Sequence, residues 1–156
     1  MTKLGRQFLL EDLQVLAVEA DSDPVGEENE HIDWFVSFAP EREERSNARV
    51  VIGTLHAAIA DCRAYVTVGS MFFDSSSEDV QDDLTKLPKL IAESSALETL
   101  YDYARTNLGA LFGMLGIYAP IPRKSPDPEV SPFNSDDEDE ESPDVEVIAV
   151  ASQVEA

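Results

Sequence analysis

The feature that most constrains the fold is a long amphipathic helix predicted within residues 95–122. Ser95 can cap its first turn, and Glu98, three residues later, can return a hydrogen bond to the cap. Gly116 and the two prolines that follow it end the helix. Apolar side chains recur at steps of three and four residues, which places on one face Leu97, Leu100, Tyr101, Ala104, Leu108, Leu111, Phe112 and Leu115. A face this wide is expected to pack on a β-sheet.

A second stripe of the same helix carries Arg105, Gly109, Gly113 and Gly116. A glycine inside a helix costs about 1 kcal/mol relative to alanine, so a glycine stripe needs a physical reason. Close approach of a second helix in an oligomer is one explanation, and close approach of the sheet is the other. A membrane span is not expected, because the uncharged run of residues 106–122 is shorter than the roughly 20 residues that a bilayer requires. We therefore predict an oligomer interface at this stripe.

Four segments ahead of the helix show the alternation of apolar and polar residues that is typical of β-strands. They are residues 8–19, 32–38, 49–60 and 64–73. Short links between them favour an antiparallel meander. Strands followed by a helix predict the α+β class, here a four-stranded antiparallel sheet packed by a long C-terminal helix.

The composition changes after residue 122, where prolines give way to a run of acidic residues at 136–141. Such a run repels itself and cannot bury apolar surface. The chain is therefore expected to comprise one domain, residues 1–122, and a disordered tail, residues 123–156. The apolar residues 145–150 near its end have three possible uses: a handle for a partner, an extra edge strand, or a segment that occupies the protein's own groove.

The net charge of −21 restricts the partners of this chain. Residues 125–156 hold 11 of the 32 acidic residues and none of the 11 basic ones. Nucleic acids and anionic membranes require lysine and arginine to replace counterions, so neither is an expected partner. A strongly acidic protein is instead suited to basic partners.

The sequence contains little that indicates catalysis. His31 and His56 are isolated along the chain, and Cys62 lies at a predicted turn. There is no phosphate-binding glycine loop, no nucleophile elbow and no zinc-ligand spacing, so we expect no enzyme, no metal site and no cofactor. A single cysteine permits no internal disulfide, and the first 12 residues lack the apolar stretch of a signal peptide. A cytoplasmic location is expected.

The helix also carries a family resemblance. Residues 99–105, Thr-Leu-Tyr-Asp-Tyr-Ala-Arg, followed by Leu-Gly-Ile-Tyr at 115–118 and a proline-rich exit, resemble the signature helix of the SecB family of export chaperones. Tyr101, Ala104, Arg105 and Gly109 match or adjoin the motif. The resemblance covers about 25 residues, and the family's further C-terminal helix has no counterpart in the acidic tail. It implies a homotetramer, a dimer of dimers, that holds unfolded polypeptides in apolar grooves without ATP.

Apolar residues on both faces of the predicted sheet agree with that implication. Phe35, Val50 and Ile52 alternate with Trp34, Val51 and Leu55, so neither face is polar. An oligomer, a client or both must cover the excess. Aromatic side chains give a large contact area at a small entropic cost, so the predicted client-binding residues are Trp34, Phe35, Phe38, Phe72, Phe73 and Tyr118. Core packing is the alternative for each.

The resemblance also bears on partners. Family members that serve secretion dock the export motor ATPase through acidic side chains on the outer sheet surface. Asp12 matches the first such position, but Tyr65 lies where the second carboxylate is expected. Motor docking should therefore be weak unless the acidic tail substitutes for the missing charge, which favours a chaperone dedicated to one partner such as an antitoxin. The alternative is an acidic interaction protein that inhibits a basic partner and holds no clients.

Overall fold

Four long strands, two helices and a short fifth strand make up the described part of the protein. The computed structural model describes residues 8–22, 29–40, 48–59, 62–74 and 85–133. In chain order the elements are β1 (Phe8–Asp21), β2 (His31–Phe38), β3 (Ala48–Ile59), β4 (Cys62–Asp74), α1 (Leu87–Ala92), α2 (Ser95–Met114) and β5 (Glu129–Pro132). The α+β class and the first four strands agree with the prediction.

The sheet is mixed and has five strands in the order β1-β4-β3-β2-β5. Strand β3 lies between β2 and β4 and pairs antiparallel with both. Strand β1 pairs antiparallel with the other edge of β4. This is the Greek-key order, so the predicted meander is wrong. Strand β5 pairs with β2 in parallel, so the prediction of four purely antiparallel strands is also wrong.

Strand β5 lies within residues 123–156, which the sequence predicts to be a disordered tail. It has only four residues and ends at Pro132, and proline is tolerated at a sheet edge because it need not donate a ladder hydrogen bond. Its Val130 packs against the core, and the Phe133 amide donates to the Phe38 carbonyl at 2.9 Å. The fold thus continues past α2, which is not the C-terminal element. The acidic run at 136–141 and the apolar residues 145–150 lie outside the described residues.

The ends of α2 follow from its capping residues. The Ser94 side chain accepts a hydrogen bond from the Leu97 amide at 3.2 Å, so the cap lies one residue before the predicted Ser95. Gly116 adopts a φ of 70°, a conformation that favours glycine, and the helix ends two residues earlier. No helix in the described part of the chain is both long and apolar enough to cross a membrane.

The predicted apolar face of α2 packs on one face of the sheet, called here the inner face. Its buried residues are Ala96, Leu97, Leu100, Tyr101, Ala104, Leu108 and Phe112. The Tyr101 hydroxyl donates to the Pro122 carbonyl at 2.6 Å, which ties the helix to the segment that leads to β5. The Tyr101 ring also meets the Trp34 ring edge-on, with centroids 5.5 Å apart.

Trp34 at the centre of this core depends on a glycine in the neighbouring strand. A Cβ at Gly53 would lie 2.3 Å from Trp34 Cη2, so the indole occupies the space that any other residue would fill. Trp34 is consequently only 1% exposed. This contact places the largest aromatic of β2 inside the protein.

Candidate functional site

The sheet face opposite α2, called here the outer face, carries exposed apolar side chains. Strand alternation places Val36, Val51 and Leu55 on the inner face, where they are buried, and Phe35, Val50 and Ile52 on the outer face. Antiparallel sheets commonly have one solvated, polar face. The outer face of this sheet departs from that pattern.

We define the outer apolar patch by the seven apolar residues that share this face: Leu9, Leu16, Phe35, Val50, Ile52, Met71 and Phe73. The strand register brings them together, since Leu9 pairs with Phe73, and Met71 with Val50. Leu9 is 60% exposed and Leu16 50% exposed. The patch therefore runs across β1, β4, β3 and β2.

A bulge in β1 shapes the middle of the patch. The register of β1 against β4 shifts between Val15 and Ala17, which leaves Leu16 as the extra residue. Its side chain lies over Gly69, with Cδ1 2.9 Å from where a Cβ would stand. A depression of about 400 Å³ opens beside it, lined by Asp12, Gln14, Leu16, Val50, Ile52, Gly69, Ser70 and Met71.

A second bulge supports the rim of this depression. Register shifts between Glu11 and Gln14, and Asp12 within it has a φ of 56°. The Ser70 hydroxyl donates to the Glu11 carbonyl at 2.7 Å, which holds the bulged backbone in place. The carboxylate predicted to dock a partner, that of Asp12, thus lies at the edge of the apolar depression.

The predicted client-binding aromatics separate into two groups. Phe35 is 43% exposed and Phe73 half-buried on the outer face, and Tyr118 is 90% exposed just beyond the end of α2. Trp34, Phe38 and Phe72 are at most 1% exposed, because strand parity turns them toward α2. These three belong to the core, so their assignment to client contacts is wrong.

The aliphatic members of the patch were missing from the predicted client-binding residues. Val50 and Ile52 alternate with buried Val51 in the sequence, and this alternation alone places them on the face opposite Val51. Leu16 gave the same signal, because its alternation with Val15 places it on the face of Phe35. Val18, expected on that face too, instead pairs with the buried Val66 because the bulge shifts the register.

Gly109 and Gly113 lie on the exposed side of α2, and Gly116 is exposed two residues beyond its end. A Cβ at Gly109, Gly113 or Gly116 would meet nothing within 4 Å. The sheet therefore does not require these glycines, which excludes one of the two explanations offered for them. Arg105 forms an ion pair with Asp102 of its own helix, with Nη2 and Oδ1 2.6 Å apart.

Tyr65, which occupies the position where the second docking carboxylate is expected, lies next to a carboxylate on the neighbouring strand. The Tyr65 hydroxyl donates to Glu19 Oε2 at 2.6 Å across the β1–β4 pair. This hydrogen bond, and the charge of Glu19, raise the pKa of Tyr65. An acidic group therefore occupies this part of the outer face, on β1 instead of β4.

The histidines, isolated in sequence, are neighbours in the structure. Asp33 pairs with His56 across β2 and β3, and the rings of His31 and His56 have centroids 5.4 Å apart. Burial, and then the proximity of His31, lower the pKa of His56. Cys62 is buried, and burial raises the pKa of its thiol, which disfavours the reactive thiolate.

Comparison with known proteins identifies the fold. No protein-family model and no curated protein sequence matches the chain. Among solved structures, it is similar to the Mycobacterium tuberculosis SecB-like chaperone Rv1957 in complex with a ChAD peptide from the HigA1 antitoxin Rv1956. The TM-score is 0.59 at 17% identity, over 76% of this chain and 88% of that one.

A second solved structure is a protein of unknown function from Streptococcus agalactiae. It has a TM-score of 0.35 and 13% identity, over 69% of this chain and 90% of that one. A similarity this low carries no argument. The first similarity agrees with the observed sheet and its covering helix, and the chain therefore has a SecB-like fold of the α+β class.

Proposed function

We propose that this protein is a holdase, a chaperone that binds unfolded or aggregation-prone polypeptides without ATP. The observation that carries the proposal is the outer apolar patch on the solvent side of a SecB-like sheet, in which Leu9, Leu16 and Phe35 are exposed and the other four apolar side chains are half-buried. Monomeric soluble proteins rarely expose a contiguous apolar area of this kind without a use for it. The solved neighbour, a SecB-like chaperone in complex with an antitoxin peptide, supports the same function.

The size of the patch limits how much client one protomer can hold. Four adjacent strands span three gaps of about 4.8 Å, or about 14 Å, which is the length of about four residues of extended chain. Burial of apolar area stabilises binding by about 25 cal/mol per Å², so one such contact is weak and reversible. Several protomers acting together would hold a long client much more tightly.

An assembly of protomers is therefore part of the proposal. We propose a homotetramer, a dimer of dimers, in which the exposed stripe of Arg105, Gly109, Gly113 and Gly116 packs against a second helix. Gly113→Leu should then reduce the oligomer mass in light scattering, whereas Ala110→Leu, exposed on the same helix beside the stripe, should not. A monomeric unmodified protein, or equal masses for the two variants, would contradict this interface.

Acidic residues on β1 favour a particular class of client. Glu11, Asp12 and Glu19 are exposed along the strand that borders the patch. A client with an apolar segment flanked by basic residues would satisfy both surfaces. We propose one dedicated cytoplasmic partner, such as an antitoxin, as the natural client. Docking of an export motor ATPase at Asp12 is the less favoured use of the same charges.

The test is suppression of aggregation by the full chain. A chemically denatured test client, unrelated to the proposed natural partner, is diluted into buffer at moderate salt and without ATP. Its aggregation is followed by light scattering. A holdase lowers the scattering in proportion to its concentration, even for a client without basic residues beside its apolar segments.

The net charge of −21 supports a second candidate, an acidic interaction protein that inhibits a basic partner. Such a protein would bind only basic proteins, and salt would abolish the binding because its contacts are charge pairs screened within about 10 Å. Failure to protect a neutral client at moderate salt would favour this candidate over the holdase.

A further inference from the structure

Both histidines of the chain lie together at one end of the outer face. His31 and Asp33 are two residues apart on β2 and so share a face, and Asp33 pairs directly with His56 on β3. The candidate ligand atoms of these three side chains all lie within 4.8 Å of one another. Adjacent strands therefore bring two imidazoles and a carboxylate to one point on the surface.

The separations are close to those that a metal ion requires. Ligand atoms about 2.0–2.1 Å from a tetrahedral ion are about 3.4 Å from each other. His31 Nε2 and Asp33 Oδ2 are already 3.4 Å apart. The candidate ligand atom of His56 lies within 4.8 Å of the other two, so a side-chain rotation that moves it by at most about 1.4 Å gives the same spacing.

A hydrogen bond on the other side of the His31 ring orients it for this role. Nδ1 lies 2.7 Å from the Asn29 carbonyl oxygen, and a carbonyl only accepts, so Nδ1 carries the proton. In the neutral ring the Nε2 lone pair then faces the Asp33 carboxylate. Two electron-rich atoms in this position are stabilised by a cation between them. Metal-binding histidines commonly donate their second ring N–H to a carbonyl in this way.

We propose that His31, Asp33 and His56 form a binding site for a divalent transition-metal ion of the Zn²⁺ type. Two imidazoles and one carboxylate suit Zn²⁺, Ni²⁺ or Cu²⁺, whereas Mg²⁺ and Ca²⁺ prefer sites made of oxygen alone. The His31 and Asp33 side chains are 47% and 45% exposed, which leaves a coordination position open to water or to a donor from a partner. The site links β2 to β3 and does not depend on the proposed chaperone function.

The acidic residues of the chain determine how the site must be tested. Zn²⁺ is titrated into the full chain by calorimetry at neutral pH, beside the double variant His31→Gln/His56→Gln. The double variant keeps all 32 acidic residues, so it reports any binding by carboxylates alone. We expect one site in the unmodified protein, at least a tenfold loss of affinity in the double variant, and no comparable site for Mg²⁺.

A second measurement does not require the variant to fold. With two histidines in the chain, NMR shows two imidazole spin systems, and Zn²⁺ should shift both at one equivalent. Equal Zn²⁺ affinities for the two proteins, or imidazole signals that do not move together, would show that the two histidines do not bind one metal ion and would overturn the proposal.

Discussion

Replacing Phe35 by threonine should weaken client binding about 30-fold. A phenylalanine side chain buries about 150–250 Å², so one that is 43% exposed leaves about 90 Å² for a client to cover. At about 25 cal/mol per Å² this area contributes about 2 kcal/mol, which is a factor of about 30 in the dissociation constant. Threonine retains a high β-propensity beside Thr54, the residue paired with Phe35.

Fluorescence anisotropy of a labelled unfolded peptide measures this change. The matched control is Val18→Thr, since Val18 is 49% exposed on β1 and pairs with Val66, a buried residue of the inner face. The control should bind the peptide within about twofold of the unmodified protein, because a change of under about 0.4 kcal/mol is expected outside the patch. If Phe35→Thr is folded and binds as tightly as the control, the outer apolar patch does not hold clients.

Predictions for three further residues test the fold that presents the patch. Tyr101→Phe should lower the free energy of unfolding by about 1 kcal/mol in urea, because it removes the hydrogen bond to Pro122. Burial raises the pKa of the Tyr101 hydroxyl above that of a tyrosine in the unfolded chain, so the unfolded chain loses the hydroxyl proton first as the pH rises. The stability that the Tyr101 hydroxyl contributes should therefore be lost above about pH 10 in the unmodified protein, but not in Tyr101→Phe. Gly53→Ala should cost about 1–3 kcal/mol by thermal denaturation, because its Cβ would overlap Trp34; an unchanged midpoint would contradict this packing. Cys62 should react with a thiol reagent far more slowly in the native protein than in denaturant, since its thiol is buried with a raised pKa; equal rates would place it at the surface.

Local periodicity was enough to predict the four long strands and α2, but not the order of the strands in the sheet. Strands β2 to β4 and helix α2 each have a strong repeat of two or 3.6 residues, which is a property of the segment itself, whereas two bulges interrupt the repeat of β1. That β1 lies beside β4 is set by packing between distant segments, and no local pattern encodes it. Strand β5 was missed because four residues that end in proline give no readable alternation.

The candidate site was predictable only in part for the same reason. Parity separated Phe35 from Trp34, but both faces of the sheet are apolar, and the sequence does not state which face α2 covers. The space over Gly53 settles that choice, because it admits the Trp34 ring beneath the helix. The proximity of His31 and His56 required the β2–β3 register, which two isolated histidines cannot indicate.

The most direct test of the account is methyl NMR of the full chain, labelled at isoleucine, leucine, valine and methionine, during titration with an unfolded peptide. Leu16, Ile52 and Met71 lie in the outer apolar patch, whereas Leu100 and Leu108 are buried residues of α2 on the side that packs on the sheet. The account predicts that the first three methyl groups shift with the peptide and that the last two stay in place. Shifts confined to the exposed end of α2 at Met114, or no shifts at a peptide concentration that suppresses aggregation, would contradict it.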